Sequence, residues 1–277
     1  MKVIFLGISS GAGKTVLTAM YCRHLFKKGI SVAPFKASNL SLDSFPTKDG
    51  SEIGTGQAFQ AMVSGIEPSR DMNPILLKPL GKGVVQLKIN GIVQESLSKS
   101  DPVDTKELIK KASEAFDRLS KEYEAVVCEG SGSPAELNLM EKDVANIGMM
   151  RSRKIPAVLI GDIERGGAFA ALYGTWLLIP EDVRPLLKGF IINRFRGDPS
   201  ILGEAIEKIE ELTGMGYIGT IPLVELKFPE EDSLSDSADK LEGKAAIEEF
   251  IKNIDILLET AEKSGLDLKK IDDISSA

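Results

Sequence analysis

The stretch that decides the fold lies at residues 2–15 and reads KVIFLGISSGAGKT. A run of β-favouring residues ends in a glycine-rich turn, and a helix-length segment follows it. Backbone N–H groups in such a turn, together with the helix N-terminus, bind phosphate oxygens. The strict phosphate-loop motif has four residues between its first glycine and Gly-Lys, whereas this chain has five between Gly7 and Gly13. The segment therefore predicts a variant phosphate-binding loop between a strand and a helix.

Strand-like and helix-like segments alternate along the rest of the chain. Short apolar runs occur at 3–8, 30–35, 125–128, 157–160, 189–192 and 217–221. Helices are predicted at 15–28, 53–64, 105–122, 143–153, 169–178 and 201–212, and a hairpin at 84–94 around Asn90-Gly91. This pattern predicts an α/β fold whose mainly parallel sheet is flanked by helices on both faces. Ligands of such sheets bind at the carboxyl ends of the strands.

Composition and charge limit the classes of function. Of 277 residues, 43% are hydrophobic and 27% charged, which is typical of folded globular proteins. The net charge of −7 argues against binding to nucleic acid or to an anionic membrane surface. No stretch approaches the roughly 18 apolar residues of a membrane span, and the N-terminal run is too short for a signal peptide. We therefore expect a cytoplasmic protein.

The two cysteines, Cys22 and Cys128, are too few for a disulfide framework or a thiolate metal site. We expect both to be buried packing residues. Near residue 229 the composition of the chain changes. Residues 229–239 are polar and acidic, 245–264 have helical periodicity, and a polar end follows them. This predicts a main domain over 1–236, followed over 237–277 by an acidic linker and a helical tail that packs on the main domain or on a partner.

The residue types in and near the loop indicate their roles. Lys14 brings a positive charge to the β and γ phosphates of ATP, and the Thr15 hydroxyl is a ligand for Mg²⁺. Glu129 follows the strand 125–128 and is a second oxygen ligand, although a helix cap or loop carboxylate is the alternative. Glu52 is a further candidate, or simply a carboxylate in the first turn of a helix. The predicted nucleotide contacts of the loop are Gly11, Ala12, Gly13, Lys14, Thr15 and Val16.

Two more polar residues end strands at the same edge of the sheet. Lys36 comes directly after the apolar run 30–35, at the end of its strand, and can reach a transferred phosphoryl group. By local chemistry alone, a solvated lysine is the simpler interpretation. Asn193 follows the strand 189–192, where its amide can contact adenine or form an Asx turn. Arg194 belongs with the predicted nucleotide contacts, with simple surface exposure as its alternative.

Five segments of the chain resemble the synthetase part of the cobyric acid synthase family, whose superfamily includes cobyrinic acid a,c-diamide synthase and dethiobiotin synthetase. The segments are GISSGAGKT (7–15), FKASNLSLDSF (35–45) with GSEIGTGQAFQA (50–61), MNPILLKP (72–79), EGSGSPAELNLMEKDVANIGMM (129–150), and GDIERGGAFAALYGT (161–175) with GFIINRFRGD (189–198). The loop is shared by the whole superfamily. MNPILLKP and SPAELNLMEKDVAN favour cobyric acid synthase.

The resemblance implies a P-loop, dethiobiotin synthetase-like fold and an ATP-dependent amidation. In this family ATP phosphorylates a carboxylate, ammonia attacks the acyl phosphate, and phosphate leaves. The substrate is adenosylcobyrinic acid a,c-diamide, which is amidated at four peripheral carboxylates. The resemblance further implies that Lys14 and Lys36 stabilise the migrating phosphoryl group and that Thr15, Glu52 and Glu129 hold Mg²⁺. It makes Asp143 a catalytic candidate and gives as substrate contacts Ser131, Ser133, Asn138 and Arg165, the last with a purely structural helix start as its alternative.

Members of this family usually continue into a glutaminase domain that releases ammonia with a Cys nucleophile and a His base. Cys22 and His24, the only histidine, are two apart on a predicted helix and therefore face different ways. We expect ammonia from a separate glutaminase subunit or from solution, unless the chain is truncated or diverged. The resemblance to dethiobiotin synthetase also implies a homodimer.

Three other interpretations compete with this one. A cobyrinic acid a,c-diamide synthase-like enzyme and a nucleotide-binding regulator without chemistry would both keep the loop. The partition and division-site ATPases share the loop fold, but they resemble one another in a lysine near the loop start, where this chain has Ser9. Their membrane binding would need a basic C-terminal helix, whereas 245–277 hold eight acidic residues against four lysines.

Overall fold

A computed structural model of the chain describes residues 1–81, 84–97, 103–225 and 244–277. In chain order its strands are β1 (Lys2–Gly7), β2 (Val32–Phe35), β3 (Ser38–Leu40), β4 (Ser44–Pro46), β5 (Glu52–Gly54), β6 (Ile75–Gly81), β7 (Val84–Ile89), β8 (Ile92–Leu97), β9 (Ala125–Glu129), β10 (Ala157–Asp162), β11 (Leu187–Phe195) and β12 (Gly216–Pro222). Its α-helices are α1 (Lys14–Lys27), α2 (Thr55–Val63), α3 (Thr105–Glu122), α4 (Met149–Arg153), α5 (Ala168–Leu178), α6 (Gly203–Thr213), α7 (Lys244–Lys263) and α8 (Leu268–Ser276).

The main sheet has six strands in the order β12-β11-β10-β1-β9-β2, and all neighbouring strands are parallel. Successive residues of β1 alternate between its two faces and are buried on both. Val3 and Phe5 pack in a core cluster with α1, α7 and α8, while Ile4 and Leu6 pack in another with α3, α4, α5 and α6. The predicted α/β architecture, with helices on both faces of a parallel sheet, is confirmed.

The parallel arrangement brings the carboxyl ends of the strands to one edge. The phosphate loop follows β1, Lys36 follows β2, and Glu129 ends β9. Asp162 ends β10 and pairs in register with Asn193 of β11. Residues far apart in sequence therefore meet at this edge, which is where the sequence predicts the site.

A second, smaller sheet lies beside the main one in the order β3-β6-β7-β8, and β4 and β5 form a separate two-stranded ribbon. The predicted hairpin is confirmed as β7 and β8, which turn through Asn90 and Gly91 at positive φ. The predicted helix over 53–64 was wrong at its start: Glu52 and Ile53 pair with Pro46 and Phe45 in the ribbon, and α2 begins at Thr55.

The C-terminal helices pack on the main domain, which is one of the two alternatives that the sequence left open. The helix predicted over 245–264 is α7, and the polar end that follows it forms a second helix, α8, capped by Asp267 through the Lys270 N–H at 3.1 Å. Ile254, Leu257 and Ile271 are buried in the core cluster of β1. The predicted boundary at 236 and the acidic linker at 229–239 lie outside the described residues. Among the described helices, none is both long and apolar enough to cross a bilayer.

Candidate active site

The phosphate loop is held in one conformation by backbone geometry and by its lysine. Gly11 and Gly13 have φ of 72° and 100°, in the region that glycine adopts readily. A Cβ on Gly13 would lie 2.3 Å from Asn193 Nδ2, so a side chain is excluded there. The Lys14 ammonium donates to the Ser9 carbonyl at 2.9 Å and thus folds back over the loop. The predicted strand–loop–helix unit is confirmed in its local structure.

Asn193 ties the end of β11 to the loop. Its Nδ2 donates to the Ala12 carbonyl at 2.9 Å, and the residue is buried. This contact replaces the Asx turn that was the alternative from sequence, while a contact of its Oδ1 with adenine stays a prediction. The neighbouring Arg194 has a φ of 61° and donates to Asp162 Oδ2 at 2.9 Å, so it lies at the same edge, partly exposed.

Glu129 is the centre of the site, because four side chains converge on its carboxylate. Oε1 accepts from the Thr15 hydroxyl at 2.8 Å and from the Lys36 ammonium at 3.0 Å. Oε2 accepts from Gln57 Nε2 at 3.0 Å and from Gln60 Nε2 at 2.7 Å. Glu129 is only 1% exposed, and Lys36 is buried with it. The structure therefore brings together three residues predicted from the ends of separate strands and from the loop.

The Glu129 carboxylate is stabilised in its charged form. Burial favours the neutral acid, but the Lys36 charge and the hydrogen bonds from Gln60, Lys36 and Thr15 outweigh it and hold the pKa of Glu129 below its usual range. An ionised carboxylate is fixed at the base of the phosphate loop as a result. Since its hydrogen bonds come from α1, α2 and the end of β2, the position of the charge depends on the packing of three elements.

The sequence analysis did not single out Gln57 and Gln60. They are three apart on α2, which places both amides on one face of the helix, toward Glu129. Both residues are 0% exposed, and each Oε1 is buried without a hydrogen-bond partner among the described residues. The signal available in the sequence was a pair of amides at helical spacing inside GQAFQA, where an amphipathic helix otherwise has apolar residues.

Two oxygens beside the loop suit Mg²⁺. The Thr15 hydroxyl oxygen and Glu129 Oε1 are 2.8 Å apart. Both are hard oxygen ligands, the type that this cation prefers. The described part of the chain contains no group of three or more His, Cys, Asp and Glu side chains arranged around a common metal position. A cation here would therefore be held by few protein ligands together with phosphate oxygens, which is how Mg²⁺ binds in nucleotide sites.

Glu52, the other predicted Mg²⁺ ligand, lies in the ribbon strand β5, so the alternative of a helix first turn is wrong. Its Oε2 accepts from the Ser44 hydroxyl at 2.9 Å, from Lys88 Nζ at 2.9 Å, and from Lys78 Nζ. Hydrogen bonds from Lys78 and Lys88 lower its pKa to about 2. The structure thus places Glu52 with two lysines of the second sheet, not among the contacts of Glu129, and its binding of Mg²⁺ stays a prediction.

A buried asparagine links Glu52's strand to the catalytic edge. Asn73 Oδ1 accepts from the Gly54 N–H at 2.9 Å, and its Nδ2 donates to the Lys36 carbonyl at 2.9 Å. Asn73 belongs to MNPILLKP, yet sequence reasoning assigned it no role. Through it, β5, the start of β6 and the end of β2 form one hydrogen-bonded unit.

The loop after Glu129 is organised by Asn146. Its amide exchanges hydrogen bonds with the backbone of Ser131, accepting from the N–H at 2.9 Å and donating to the carbonyl at 2.7 Å. It also donates to Asp143 Oδ2 at 2.8 Å. Asp143 caps a π-helical turn, Val144–Gly148, that precedes α4, so the predicted helix over 143–153 is irregular in its first half. Burial raises the pKa of Asp143, against hydrogen bonds that lower it.

The remaining predicted substrate contacts are spread around this edge. The Ser133 hydroxyl is buried and accepts from the Ala135 N–H at 3.2 Å. Asn138 and Arg165 are exposed, and neither side chain has a hydrogen bond or ion pair with any residue that the structure describes. The structure therefore does not bring these two together with the Glu129 group, and their role in binding stays a prediction.

Both cysteines are buried packing residues, as predicted. Burial raises the pKa of the Cys22 thiol to about 12 and that of Cys128 beyond its ordinary range. His24 lies on another side of α1, with Nε2 3.3 Å from Asp272. Neither cysteine is therefore a reactive thiolate in this fold.

Comparisons with known proteins agree with this geometry. The family model described as CobQ/CobB/MinD/ParA nucleotide binding domain matches residues 3–235. A "Probable cobyric acid synthase" from Methanoculleus marisnigri is 49% identical over 245 residues, which are 88% of this chain and 50% of that protein. One from Archaeoglobus fulgidus is 46% identical over 243 residues, which are 87% of this chain and 52% of that protein. The chain thus spans about half the length of the curated relatives it matches.

A crystal structure of a ParA family ATPase from Chlorobium tepidum is also similar. It is 12% identical, with a TM-score of 0.46, and the match covers 99% of this chain and 98% of that one. The resemblance predicted from five sequence segments is confirmed by the curated relatives. By the family model that covers most of its length, the chain belongs to the CobQ/CobB/MinD/ParA nucleotide binding domain family.

Proposed function

We propose that this chain is a ligase of cobalamin biosynthesis that amidates carboxylates of adenosylcobyrinic acid a,c-diamide at the expense of ATP. The observation that supports the proposal is the convergence of Thr15 and Lys36 on the buried Glu129 beside the phosphate loop. The similarity to proteins named cobyric acid synthase over 88% of the chain supports the choice of substrate. An acyl phosphate is the proposed intermediate.

In the first step, a carboxylate oxygen of the substrate attacks the γ-phosphorus of ATP, and the bond to ADP breaks. The loop residues 11–16 would hold the phosphates through backbone N–H groups, while Lys14 and Lys36 offset negative charge that builds up during transfer. Mg²⁺, when bound, neutralises charge on the phosphates, and Thr15, Glu129 and Glu52 are its proposed ligands. This part of catalysis is mainly positioning and electrostatic stabilisation.

In the second step, ammonia attacks the carbonyl carbon of the acyl phosphate, and the bond to phosphate breaks as the amide forms. The attacking nitrogen loses a proton to solvent or to a nearby base. Asp143 is the proposed catalytic residue on this side, with Ser131, Ser133, Asn138 and Arg165 as substrate contacts. The hydrogen bonds of Asp143 and Asn146 support this proposal, because they set the shape of the loop that follows Glu129.

The ammonia is proposed to come from a separate glutaminase subunit or from solution. The buried thiols of Cys22 and Cys128 support this, since a glutaminase nucleophile must be accessible as a thiolate. We further propose that the chain works as a homodimer. Unpaired cysteines together with an ATP-dependent reaction favour the cytoplasm as its compartment.

The test is an amidation assay with ATP, Mg²⁺ and adenosylcobyrinic acid a,c-diamide, supplied with either ammonium chloride or glutamine. Mass spectrometry follows the replacement of each carboxylate hydroxyl by an amino group. We expect amides with ammonium and none with glutamine. Amides formed from glutamine alone would contradict the external ammonia source. If neither nitrogen source gave an amide while ATP still bound, the corrinoid assignment would be wrong.

A test variant and a matched control are compared in the same assay. Lys36→Gln removes a charge that we assign to the transfer step, and we expect it to abolish most of the amide formation. Lys110→Gln removes the same charge from an exposed position on α3, where Lys110 Nζ lies 4.0 Å from Glu107 Oε2. This variant should behave like the unaltered chain. Equal activity of the two variants would contradict the role of Lys36.

A further inference from the structure

The second sheet carries a charge cluster that the proposed reaction does not yet use. Lys78 of β6 and Lys88 of β7 both donate to Glu52 Oε2, and the Ser44 hydroxyl donates to the same oxygen. Two ammonium groups thus face one carboxylate, and the cluster has one excess positive charge. The Glu52 and Lys78 side chains are 33% and 23% exposed, so the cluster is open to solvent on one side.

The sheet register shows what surrounds this cluster. Across neighbouring strands, Asn39 pairs with Leu76, Leu76 with Lys88, and Lys88 with Val93, so these four side chains share one face. Lys78 is two residues from Leu76 on the same strand and therefore lies on that face as well. The face thus presents ammonium groups together with Val93, an apolar side chain that is 51% exposed.

Asn39 adds a second observation that points to a ligand. It is 4% exposed, and its Nδ2 is a buried donor without a hydrogen-bond partner in the described part of the chain. An unsatisfied buried donor is costly, and such groups are rare in native proteins. On one face, then, are two ammonium groups that share a single carboxylate oxygen, and an amide donor without an acceptor among the residues that the structure describes.

The cluster is connected to the catalytic edge. Glu52 is two residues before Gly54, whose N–H is bound by Asn73, and Asn73 in turn binds the carbonyl of Lys36. The end of β2 and the second sheet are therefore held in a fixed relation. A ligand that spans the two would place one group near Lys36 and another near the lysines of the second sheet.

We infer that Lys78 and Lys88 form a binding site for a carboxylate of the substrate, which Glu52 occupies in this structure and which the substrate carboxylate takes from it. The inference rests on the proposed function, from which it takes the substrate. Glu52 stands in for the carboxylate of the ligand, since it offers the same group to the same two donors.

The carboxylate is favoured over a phosphate of ATP as the ligand. Phosphates already have a loop of backbone N–H groups, with Lys14 and Lys36, on the main sheet. Lys78 and Lys88 lie on a separate sheet beside exposed apolar side chains, among them Val93 and Leu80. An organic ligand with a large apolar body and several carboxylates matches that combination better than a nucleotide.

The test measures binding, independently of catalysis. Equilibrium dialysis of adenosylcobyrinic acid a,c-diamide, followed by its visible absorbance, is done with Mg²⁺ and a non-hydrolysable ATP analogue. We expect the double variant Lys78→Gln/Lys88→Gln to bind the corrinoid at least about tenfold more weakly, since each lysine loses a charge-assisted hydrogen bond. The affinity for the ATP analogue should be unchanged. Lys110→Gln is the matched control, and Lys78→Arg/Lys88→Arg should retain most of the binding.

Glu52→Gln separates this inference from a purely structural role. The inference predicts that this variant binds the corrinoid without Mg²⁺ more tightly than the unaltered chain does, because the lysines no longer face a competing carboxylate. A structural tie predicts equal or weaker binding in that condition. If the double lysine variant fails to fold, Lys78→Gln alone, at the more exposed lysine, replaces it.

The outcomes distinguish this inference from the proposed function. Unchanged corrinoid affinity in the lysine variants, or a loss of ATP analogue affinity in its place, overturns the inference while amidation by the unaltered chain would still support the function. Lysine-dependent corrinoid binding without any amidation supports the site and overturns the function. If the unaltered chain does not bind the corrinoid at all, both are overturned.

Discussion

Glu129 and Glu52 are two carboxylates with lysine partners in very different surroundings. Glu129 is 1% exposed, and its four donors are divided between its two oxygens. Glu52 is 33% exposed, and its three donors all bind Oε2. The first is surrounded by the packed main sheet and α2, whereas the second lies between short strands at the periphery.

The difference is between a carboxylate held through both oxygens in the core and one held through a single oxygen with solvent beside it. Glu129 cannot change its orientation without leaving several buried donors unsatisfied, so it is preorganised beside the phosphate loop. Glu52 is partly exposed, and its three donors all bind one oxygen, so fewer buried contacts fix its position. Both carboxylates have a lowered pKa, and yet only burial makes that charge rigid.

The largest expected effect is a loss of stability when Glu129 is neutralised, compared with the same change at Glu52. Glu129→Gln leaves the Lys36 ammonium buried beside an uncharged amide, and we expect a loss of about 3–5 kcal/mol in the free energy of unfolding. Glu52→Gln acts on a partly exposed cluster and should cost about 1 kcal/mol or less. Urea unfolding measures both. Equal losses would contradict the comparison, and Glu129→Gln/Lys36→Met should recover part of the stability.

The second prediction concerns catalysis. Lys36→Gln removes a charge that acts in the transition state, and we expect kcat to fall by about 100-fold or more with little change in the KM for ATP. Lys78→Gln removes a charge used in substrate binding and should mainly raise the KM for the corrinoid. Steady-state kinetics with each substrate varied in turn separates the two. A fall in kcat alone for both variants would show that the clusters do not differ in role.

The third prediction tests the amides that hold Glu129. Gln60→Leu removes the 2.7 Å hydrogen bond to Oε2 and should cost about 1–3 kcal/mol of stability. With one donor fewer, the pKa of Glu129 rises. On acidification, the activity of this variant should therefore fall at a higher pH than that of the unaltered chain. A pH–rate profile measures the shift. Gln94→Leu, at an exposed amide of the β8 hairpin, is the control and should leave the profile unchanged.

The smallest expected effect is the acid dependence that Glu52 contributes. Its pKa is lowered from 4.5 to about 2, so the stability it contributes is complete above about 4.5 and is lost as the pH falls toward about 2. The difference in unfolding free energy between the unaltered chain and Glu52→Gln should therefore shrink over that range. Glu67→Gln, in an exposed ion pair with Lys48, is the matched control for removing a carboxylate at the surface. A difference that grows on acidification would have the wrong sign.

Much of the main sheet could be predicted from the sequence, for a simple reason. Its strands are buried on both faces, so each appears as a continuous apolar run, and their parallel order follows from the helices between them. The same logic predicted Lys36, Glu129 and Asn193, because a polar residue directly after such a run lies at the ligand edge. The structure brings all three to the loop region.

The second sheet and its ribbon could not be predicted in the same way. β3, β4 and β5 have three residues each, too few to show a period. Ile53 was therefore placed at the start of the following helix, and a helix first turn was the alternative for Glu52, although both residues pair with a strand 6–8 residues earlier. α8 was missed because its apolar residues, including Leu268 and Ile271, are separated by charged residues in the sequence. They form an apolar face only where the helix packs on β1 and β12.

The sequence by itself determined the α/β alternation, the phosphate loop and the residues that end its strands, because these depend on local composition and on the side-chain period. Only the tertiary structure decided which donors each carboxylate receives. Gln57 and Gln60 contact Glu129, 69 to 72 residues away, and Lys78 and Lys88 contact Glu52 across two sheets. The charge and mobility of a carboxylate are set by its burial and its partners, and these arise from the packing of distant segments.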